Sequence, residues 1–181
     1  MDDDRSLLTD FARHGDGKSL TTLITRHSKW MMAMLGALLP TAEDAEDAFQ
    51  EAWLKVIRSA SAYRGGSIKA YLASIARSVA IDLLRKQNPT VSLDDIDACD
   101  EAVDPTPSPD ANFVIKASKE EIRRAVRGLP LRARQVLLLR IEAELTFGEI
   151  AEELDLPIGT VLSLSSRATM RLRKELVENG R

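Results

Sequence analysis

The residues that most often carry catalysis or bind metals are scarce in this sequence. It contains one cysteine, Cys99, and two histidines, His14 and His27. A metal site needs several such ligands at close spacing, and covalent catalysis needs a nucleophile, a base and a group that orients the base. Neither set is visible, so the sequence predicts no catalytic or metal site and no cofactor, and it favours a protein that is not an enzyme. A single cysteine also excludes an internal disulfide and indicates a reducing compartment.

The C-terminal part of the sequence predicts two short helices joined by a tight turn, with polar and basic residues on the second. A short helix is predicted from a cap at Thr146 to Glu153, followed by a tight turn at 155–157 and a last helix from Thr160. Asp155 stands in a turn where glycine is common, and aspartate tolerates left-handed backbone better than most residues. The buried side of the last helix is predicted to be Val161, Leu164, Ala168, Leu172 and Leu176. Two short helices joined by such a turn, the second exposing polar and basic groups, form a helix-turn-helix.

A carboxylate-bearing helix is predicted in the first half of the chain. Thr41 and Asp44 resemble a capping box. Apolar side chains then recur at three- and four-residue spacing and mark one buried stripe: Ala45, Ala48, Phe49, Ala52, Trp53, Val56 and Ile57. Asp44, Asp47 and Glu51 fall on another face, with Gln50 beside them.

A second strongly periodic helix follows a break at 63–67, which ends in a fresh N-cap at Ser67. Its buried stripe is predicted to be Ile68, Leu72, Ile75, Ala76, Val79, Ala80 and Leu83. The opposite face holds Ser74, Arg77, Ser78, Ile81 and Arg85, with Tyr71 at its border. Further helices are predicted over 6–39, divided near 14–17, and over 115–127 and 131–142. The Met and Trp run at 30–35 is expected in the core. The predicted fold class is all-α.

Residues 87–114 differ from both flanking blocks. They contain seven acidic and no basic residues, and four prolines. Such a segment cannot sustain a helix or bury much surface. The sequence therefore predicts three parts: a helical domain over 1–86, an acidic tether over 87–114 that includes Cys99, and a helix-turn-helix domain over 115–181.

The remaining composition is that of an ordinary soluble globular protein. The chain has 181 residues, of which 29% are charged and 44% hydrophobic. Its longest apolar stretch, 30–39, is about half of a membrane span. The first residues are acidic, whereas a signal peptide begins with basic ones. A cytoplasmic protein without membrane insertion is expected.

The motifs together resemble a bacterial sigma factor. Residues 44–51 (Asp-Ala-Glu-Asp-Ala-Phe-Gln-Glu), 63–67 (Tyr-Arg-Gly-Gly-Ser) and 75–82 (Ile-Ala-Arg-Ser-Val-Ala-Ile-Asp) are similar to sigma region 2. Leu129-Pro130, residues 134–140 and 149–152, and Gly159-Thr160-Val161 are similar to region 4. Only these two regions occur, joined by a short linker, as in the extracytoplasmic-function (ECF) class. The resemblance implies a protein that binds RNA polymerase core, directs initiation at selected promoters and is held inactive by an anti-sigma factor.

The resemblance also assigns site residues. On the acidic helix, Asp47, Gln50 and Glu51 are expected to contact the polymerase core. At the −10 element, where the family opens DNA, cations must meet phosphates and a platform must hold an unstacked base. The candidates there are Tyr63, Arg64, Lys69, Tyr71, Arg77, Ser78, Arg85 and Lys86. Tyr71 stands where the family commonly has Trp. Ser78 stands where the family commonly has Asn, and a serine side chain has fewer hydrogen-bonding groups than asparagine.

The last helix departs from the family further. The family typically has Thr-Val-Lys-Ser-Arg-Leu where this chain has Thr160-Val161-Leu162-Ser163-Leu164-Ser165. Leu164 is expected to fill the apolar stripe that Ser165 leaves thin, and Leu162 to project outward. The remaining −35 candidates are Thr160, Ser163, Ser166, Arg167, Arg171, Arg173 and Lys174.

Two hypotheses follow from that departure. In the first, region 4 reads an unusual −35 element or contributes little affinity, because each lost phosphate contact lowers the salt slope of binding by about 0.9. In the second, Leu162 and its neighbours bind a protein regulator, and the chain is a sigma-like adaptor.

Overall fold

The computed structural model describes residues 3–89 and 118–178, and every regular element within them is helical. The helices are α1 (Asp4–His14), α2 (Gly17–Leu38), α3 (Ala42–Ser59), α4 (Ile68–Gln87), α5 (Lys119–Arg127), α6 (Leu131–Ile141), α7 (Phe147–Leu154) and α8 (Ile158–Glu178), with a 3-10 turn at Ala60–Ala62. They divide into two compact units, the N-terminal unit (α1–α4) and the C-terminal unit (α5–α8). The all-α prediction is confirmed. Across the described residues, no helix is both long and apolar enough to cross a bilayer.

The predicted tether falls almost entirely outside the described residues. Gln87, at its proposed start, is the last residue of α4, and Cys99 lies in the part of the chain that is not described. At the far side, the predicted helix start at 115 lies outside the described residues, but the predicted helical conformation of residue 118 is wrong. Ser118 is an N-cap, because its hydroxyl accepts from the Glu121 N–H while the Glu121 side chain accepts from the Ser118 N–H, and α5 begins at Lys119.

Side-chain caps set the helix starts of the N-terminal unit. Asp16 accepts from two backbone N–H groups at the start of α2, and Gly15 ends α1 in the left-handed conformation. The Thr41 hydroxyl accepts from the Asp44 N–H at 3.0 Å and starts α3. Ser67 caps α4 in the same way. Each cap satisfies N–H groups that the helix leaves without an internal partner.

The core of the N-terminal unit is built around α2, which packs against α1, α3 and α4. Met31, Met34 and Leu35 of α2 are at most 1% exposed and lie in the core as expected, whereas Trp30, Met32 and Ala33 of the same run are half-buried. The buried arc of α4 differs from its predicted stripe: Ile81, predicted on the polar face, is buried, whereas Ile75 and Leu83, predicted in the stripe, are half-buried. The reason is that α4 packs against α2 and α3 together. Ile57, the end of the predicted α3 stripe, is exposed.

A buried histidine ties α1 to α2. The Trp30 indole N–H, which can only donate, reaches His27 Nδ1 at 2.9 Å. The proton of neutral His27 therefore sits on Nε2, which donates to Asp4 Oδ2 at 2.9 Å. Asp4 also accepts from Arg26 Nη1 at 2.6 Å. Burial lowers the pKa of His27; the Asp4 carboxylate opposes this, and the positive charges of Lys69 and Arg26 add to it. His27 is thus neutral near pH 7.

The C-terminal unit packs α8 against α5, α6 and α7. Of the predicted apolar stripe of α8, Val161, Leu164 and Ala168 are buried, whereas Leu172 and Leu176 are half-buried. The predicted start of α8 at Thr160 is two residues late. The Pro157 carbonyl accepts from the N–H groups of Thr160 and Val161, so the helix already begins at Ile158.

Candidate polymerase and nucleic-acid interfaces

The acidic face of α3 points away from the core. Asp47 and Gln50 are exposed, and Glu51 is half-buried with Oε1 3.5 Å from Arg58 Nη1. Gln50 and Glu51 lie three and four residues after Asp47, which places all three on one side of the helix. An exposed surface pair of this length is worth little to stability, so the carboxylates remain accessible to a basic partner.

Sequence reasoning missed an apolar residue on this face. Leu54 follows Gln50 by one helical turn and is 46% exposed. Interfaces commonly combine an apolar centre with a polar rim. The signal was readable, because Leu54 lies outside the predicted buried stripe of α3 and has polar neighbours at Gln50 and Glu51.

Asp44, which the sequence places on the acidic face, is engaged within the unit. Its Oδ1 accepts from Gln87 Nε2 at 2.6 Å, and its Oδ2 accepts from the Thr41 hydroxyl at 2.7 Å. The bond from Thr41 lowers the pKa of Asp44, and that from Gln87 adds to it. Asp44 therefore links the start of α3 to the end of α4.

The candidates for the −10 element are spread around α4. Tyr71, Ser78 and Arg85 recur at seven-residue spacing and form one outward stripe about 21 Å long. Arg85 and Ser78 are exposed and Tyr71 is half-buried. Lys69 and Arg77 are half-buried and lie off this stripe, Lys86 is exposed at the end of the helix, and Arg64 is exposed in the preceding loop. Asp82, paired with Lys55 at 3.4 Å, borders the stripe.

The two tyrosines lie together at the start of α4. Their ring centroids are 5.1 Å apart with an interplanar angle of 54°. The Tyr71 hydroxyl shares a hydrogen bond of 2.7 Å with Ser59 Oγ, and the Tyr63 hydroxyl donates to the Gly66 carbonyl at 2.8 Å. Both hydroxyls are thus held within the unit, which leaves ring surface as the feature available for stacking.

The C-terminal unit contains the predicted helix-turn-helix. Thr146 and Glu149 form a capping box at the start of α7, and the bond from the Thr146 N–H lowers the pKa of Glu149. Asp155 ends α7 at φ 52° and ψ 51°, the left-handed conformation that the sequence predicted. The Leu156 N–H then donates to the Ala151 carbonyl at 3.0 Å, which closes the turn and directs the chain into α8.

The −35 candidates occupy the side of α8 that faces away from its core stripe. Helical spacing aligns one row: Thr160, Ser163, Arg167, Arg171 and Lys174. Ser166 and Arg173, seven residues apart, form a neighbouring row. Arg171, Arg173 and Lys174 are exposed and the other four are half-buried. The fold therefore brings all seven to the outer surface of one helix.

The three unusual residues of α8 take the places expected of them. Leu164 is 3% exposed and Ser165 half-buried, so Leu164 fills the apolar stripe. Leu162 is 41% exposed and Ile158, one turn before it, 54% exposed. Ile158 and Leu162 thus form an exposed apolar patch on the first turns of α8.

Within the described ranges, no group of three or more His, Cys, Asp or Glu side chains is placed to hold a metal ion.

Comparison with family models gives two matches in chain order. Residues 23–90 match sigma-70 region 2, and residues 125–174 match sigma-70 region 4. The first match covers most of α2 and all of α3 and α4, and the second covers α6, α7 and most of α8.

Comparisons with whole proteins agree with these matches. The ECF RNA polymerase sigma-E factor of Escherichia coli strain K12 is 26% identical, covering 96% of this chain and 92% of the relative. The RNA polymerase sigma-H factor of Pseudomonas aeruginosa strain PAO1 is 25% identical, covering 93% of this chain and 92% of the relative.

Two solved structures share the fold. CnrH in complex with the cytosolic domain of CnrY has a TM-score of 0.70 at 16% identity, covering 98% of this chain and 99% of that one. The sigma factor RpoE of Bartonella quintana, in complex with the anti-sigma factor NepR, has a TM-score of 0.68 at 23% identity, covering 91% and 99%. With regions 2 and 4 matched in order along the chain, this protein belongs to the sigma-70 family, in its extracytoplasmic-function class.

Proposed function

We propose that this chain binds RNA polymerase core through α3, opens promoter DNA with α4 and contacts a −35 element with α8. It acts by binding and not as an enzyme. Because its proposed partner is the polymerase, we place it in the cytoplasm. The domain boundaries that accompany this proposal are 1–86, 87–114 and 115–181.

The observation that carries the proposal is the exposed acidic face of α3. Asp47, Gln50 and Leu54 are exposed beside one another, while the apolar stripe of the same helix is buried. The burial of one face builds the domain and leaves the other free to bind. Such a face suits a basic partner surface, since complementary charge speeds encounter and sets register.

A matched pair of variants tests the polymerase contact. Asp47→Asn removes one exposed carboxylate from α3, and Asp10→Asn removes one from α1, where no polymerase contact is proposed. We expect Asp47→Asn to weaken binding to polymerase core about threefold to tenfold, the scale of one interfacial charge, and Asp10→Asn to leave it unchanged. Fluorescence anisotropy of the labelled full chain measures both. Equal affinities would remove Asp47 from the interface, and no binding by the unaltered chain would refute the function.

The proposed contact with the −10 element rests on the outward stripe of α4. A positive charge at Arg85 and the paired rings of Tyr63 and Tyr71 offer the two chemistries that single-stranded DNA requires: phosphate neutralisation and base stacking. Run-off transcription with polymerase core over a genomic promoter library tests the whole activity. Transcripts that depend on this chain, and that are lost in Arg85→Ala, are the expected result.

An anti-sigma partner is the expected regulator. Both structural neighbours were solved as complexes, one with the cytosolic domain of CnrY and one with the anti-sigma factor NepR. For this chain we propose a protein of the same kind, which competes with polymerase core for the N-terminal unit. Adding such a partner should release the labelled chain from the polymerase.

A second candidate function is favoured by the patch at the start of α8. Leu162 and Ile158 are 41% and 54% exposed, and Leu162 stands where the pattern of the family has lysine. In this alternative the C-terminal unit binds a protein regulator and not the −35 element. Selection of the polymerase-bound chain against a randomised duplex pool separates the two, because only the first predicts salt-sensitive enrichment of a −35 sequence.

A further inference from the structure

We infer that Arg5, on the first turn of α1, is a positioning residue for promoter opening. It holds the Gly-Gly loop, which we define as residues 63–67, in the conformation that presents Tyr63. The inference rests on the proposed contact between this loop, α4 and the −10 element. Sequence motifs did not single out Arg5, and it lies outside the range matched by the region 2 model.

The Gly66 carbonyl is the point on which the loop is fixed. It accepts from Arg5 Nη2 at 3.1 Å and from the Tyr63 hydroxyl at 2.8 Å. A carbonyl oxygen has two lone pairs, so these two donors use its capacity. One donor comes from within the loop and the other from 61 residues earlier in the chain.

The loop needs an outside anchor because of its own composition. Gly65 and Gly66 adopt φ values of 100° and 101°, a region that other residues rarely enter. Two consecutive glycines leave the backbone many alternatives, and each must be given up when the loop binds DNA. An external hydrogen bond that already selects the bound conformation reduces that entropic cost.

Arg5 is presented from a fixed position. Its neighbour Asp4 accepts from Arg26 Nη1 at 2.6 Å and from His27 Nε2 at 2.9 Å. Two and three residues after Arg5, Leu7 and Leu8 are buried in the core. The first turn of α1 is therefore anchored on α2 while the Arg5 side chain reaches across to the loop.

The consequence passes to the tyrosine pair. The Tyr63 ring packs against the Tyr71 ring, with their centroids 5.1 Å apart. The Tyr63 hydroxyl donates to the Gly66 carbonyl, which also accepts from Arg5. Loss of the Arg5 bond leaves the Tyr63 hydroxyl as the remaining hydrogen bond described at that carbonyl. We therefore expect the ring to occupy its stacking position less often when Arg5 is replaced.

The test compares Arg5→Ala with Arg13→Ala. Both residues are exposed arginines of α1 with the same charge, but Arg13 has no described contact with the loop. Each full-length variant is assembled with polymerase core, and opening of a promoter selected by the unaltered chain is followed with 2-aminopurine in the −10 element. Because one exposed hydrogen bond is at stake, we expect Arg5→Ala to slow opening about threefold to tenfold and Arg13→Ala to have no effect.

Four further measurements separate positioning from other roles. Affinity for polymerase core and the thermal midpoint should stay unchanged in Arg5→Ala, and Arg5→Lys should restore part of the opening rate. The salt slope of promoter binding should also stay unchanged, since loss of a direct phosphate contact would lower it by about 0.9. A lower slope would overturn the inference and make Arg5 a DNA contact.

A double-mutant cycle tests the shared carbonyl. Tyr63→Phe keeps the ring and removes the second donor to Gly66. If both donors fix one loop conformation, the effects of Arg5→Ala and Tyr63→Phe will not add. Additive effects, or equal opening by Arg5→Ala and Arg13→Ala, would overturn the inference while leaving the sigma activity intact. A failure of the unaltered chain to open any promoter would instead refute the proposed function.

Discussion

Replacing Leu162 with lysine should add a phosphate contact to α8 without disturbing the fold. Leu162 is 41% exposed at the start of the helix, so the substitution removes little buried apolar surface. Substitutions at such positions usually change stability by less than about 0.5 kcal/mol. The new ammonium group stands one residue before Ser163 and four before Ser166, next to the outward rows of α8.

The size of the effect follows from counterion release. One added phosphate contact steepens the dependence of log affinity on log salt by about 0.9. Over a fourfold rise in salt, Leu162→Lys should therefore lose about 3.5-fold more DNA affinity than the unaltered chain. At low salt it should bind more tightly.

The assay is a salt series with the chain bound to polymerase core and a duplex that carries the selected −35 sequence. Leu162→Gln is the matched control, because it removes the leucine without adding charge. Equal salt slopes for the lysine variant, the glutamine variant and the unaltered chain would mean that α8 does not meet phosphate at this position. That outcome would favour the protein-regulator alternative.

The other predictions concern stability. Leu164→Ala should lower the free energy of unfolding of the C-terminal unit by about 2–5 kcal/mol, because this leucine is 3% exposed; urea unfolding followed by circular dichroism measures it. Thr146→Ala should cost about 1 kcal/mol through loss of the α7 cap, whereas Thr169→Ala, an exposed mid-helix change, should cost less in the same experiment. His27 has a pKa below its usual 6.5 in the folded protein, so the folded state binds fewer protons than the unfolded one. The contribution of neutral His27 to the free energy of unfolding should be fully present above pH 6.5 and be lost as the pH falls through the folded pKa. Urea titrations across pH 4–7 measure this pH dependence, and His27→Gln should reduce it. An unchanged pH dependence in the variant would mean that another group is responsible.

Local patterns predicted most of the helices because their signals lie within a few residues. The caps at Thr41, Ser67 and Thr146 were readable from residue type and spacing. So was the left-handed turn at Asp155, since few other residues tolerate that conformation. The capping box at Ser118 was equally local and was overlooked, which moved the predicted start of α5.

Packing between helices decided what the patterns left open. Ile81 lies outside the periodic stripe of α4, yet it is buried because α4 has two neighbours in its unit. The apolar periodicity of a helix does not show how many other helices pack against it. The hydrogen bond from Arg5 to Gly66 spans 61 residues and depends on how α1 docks on α2.

The sequence could identify candidate site residues by their chemical type, but not the contacts that hold them. The sequence offered Tyr63 and Tyr71 as stacking candidates but gave no indication that their hydroxyls are held by Gly66 and Ser59. Likewise, Lys69 and Arg77 share a helix with Arg85 but lie off its outward stripe. The roles of these residues toward DNA and polymerase remain predictions that the experiments above decide.

The burial of the α2 methionines has a bearing on chemical damage. Peroxides convert exposed thioethers to sulfoxides, and a sulfoxide inside a core disrupts packing. Met31 and Met34 are at most 1% exposed, whereas Met170 on α8 is 42% exposed. Of these three methionines, Met170 is the one that an oxidant in solvent reaches most readily, so we expect its oxidation to precede that of Met31 and Met34.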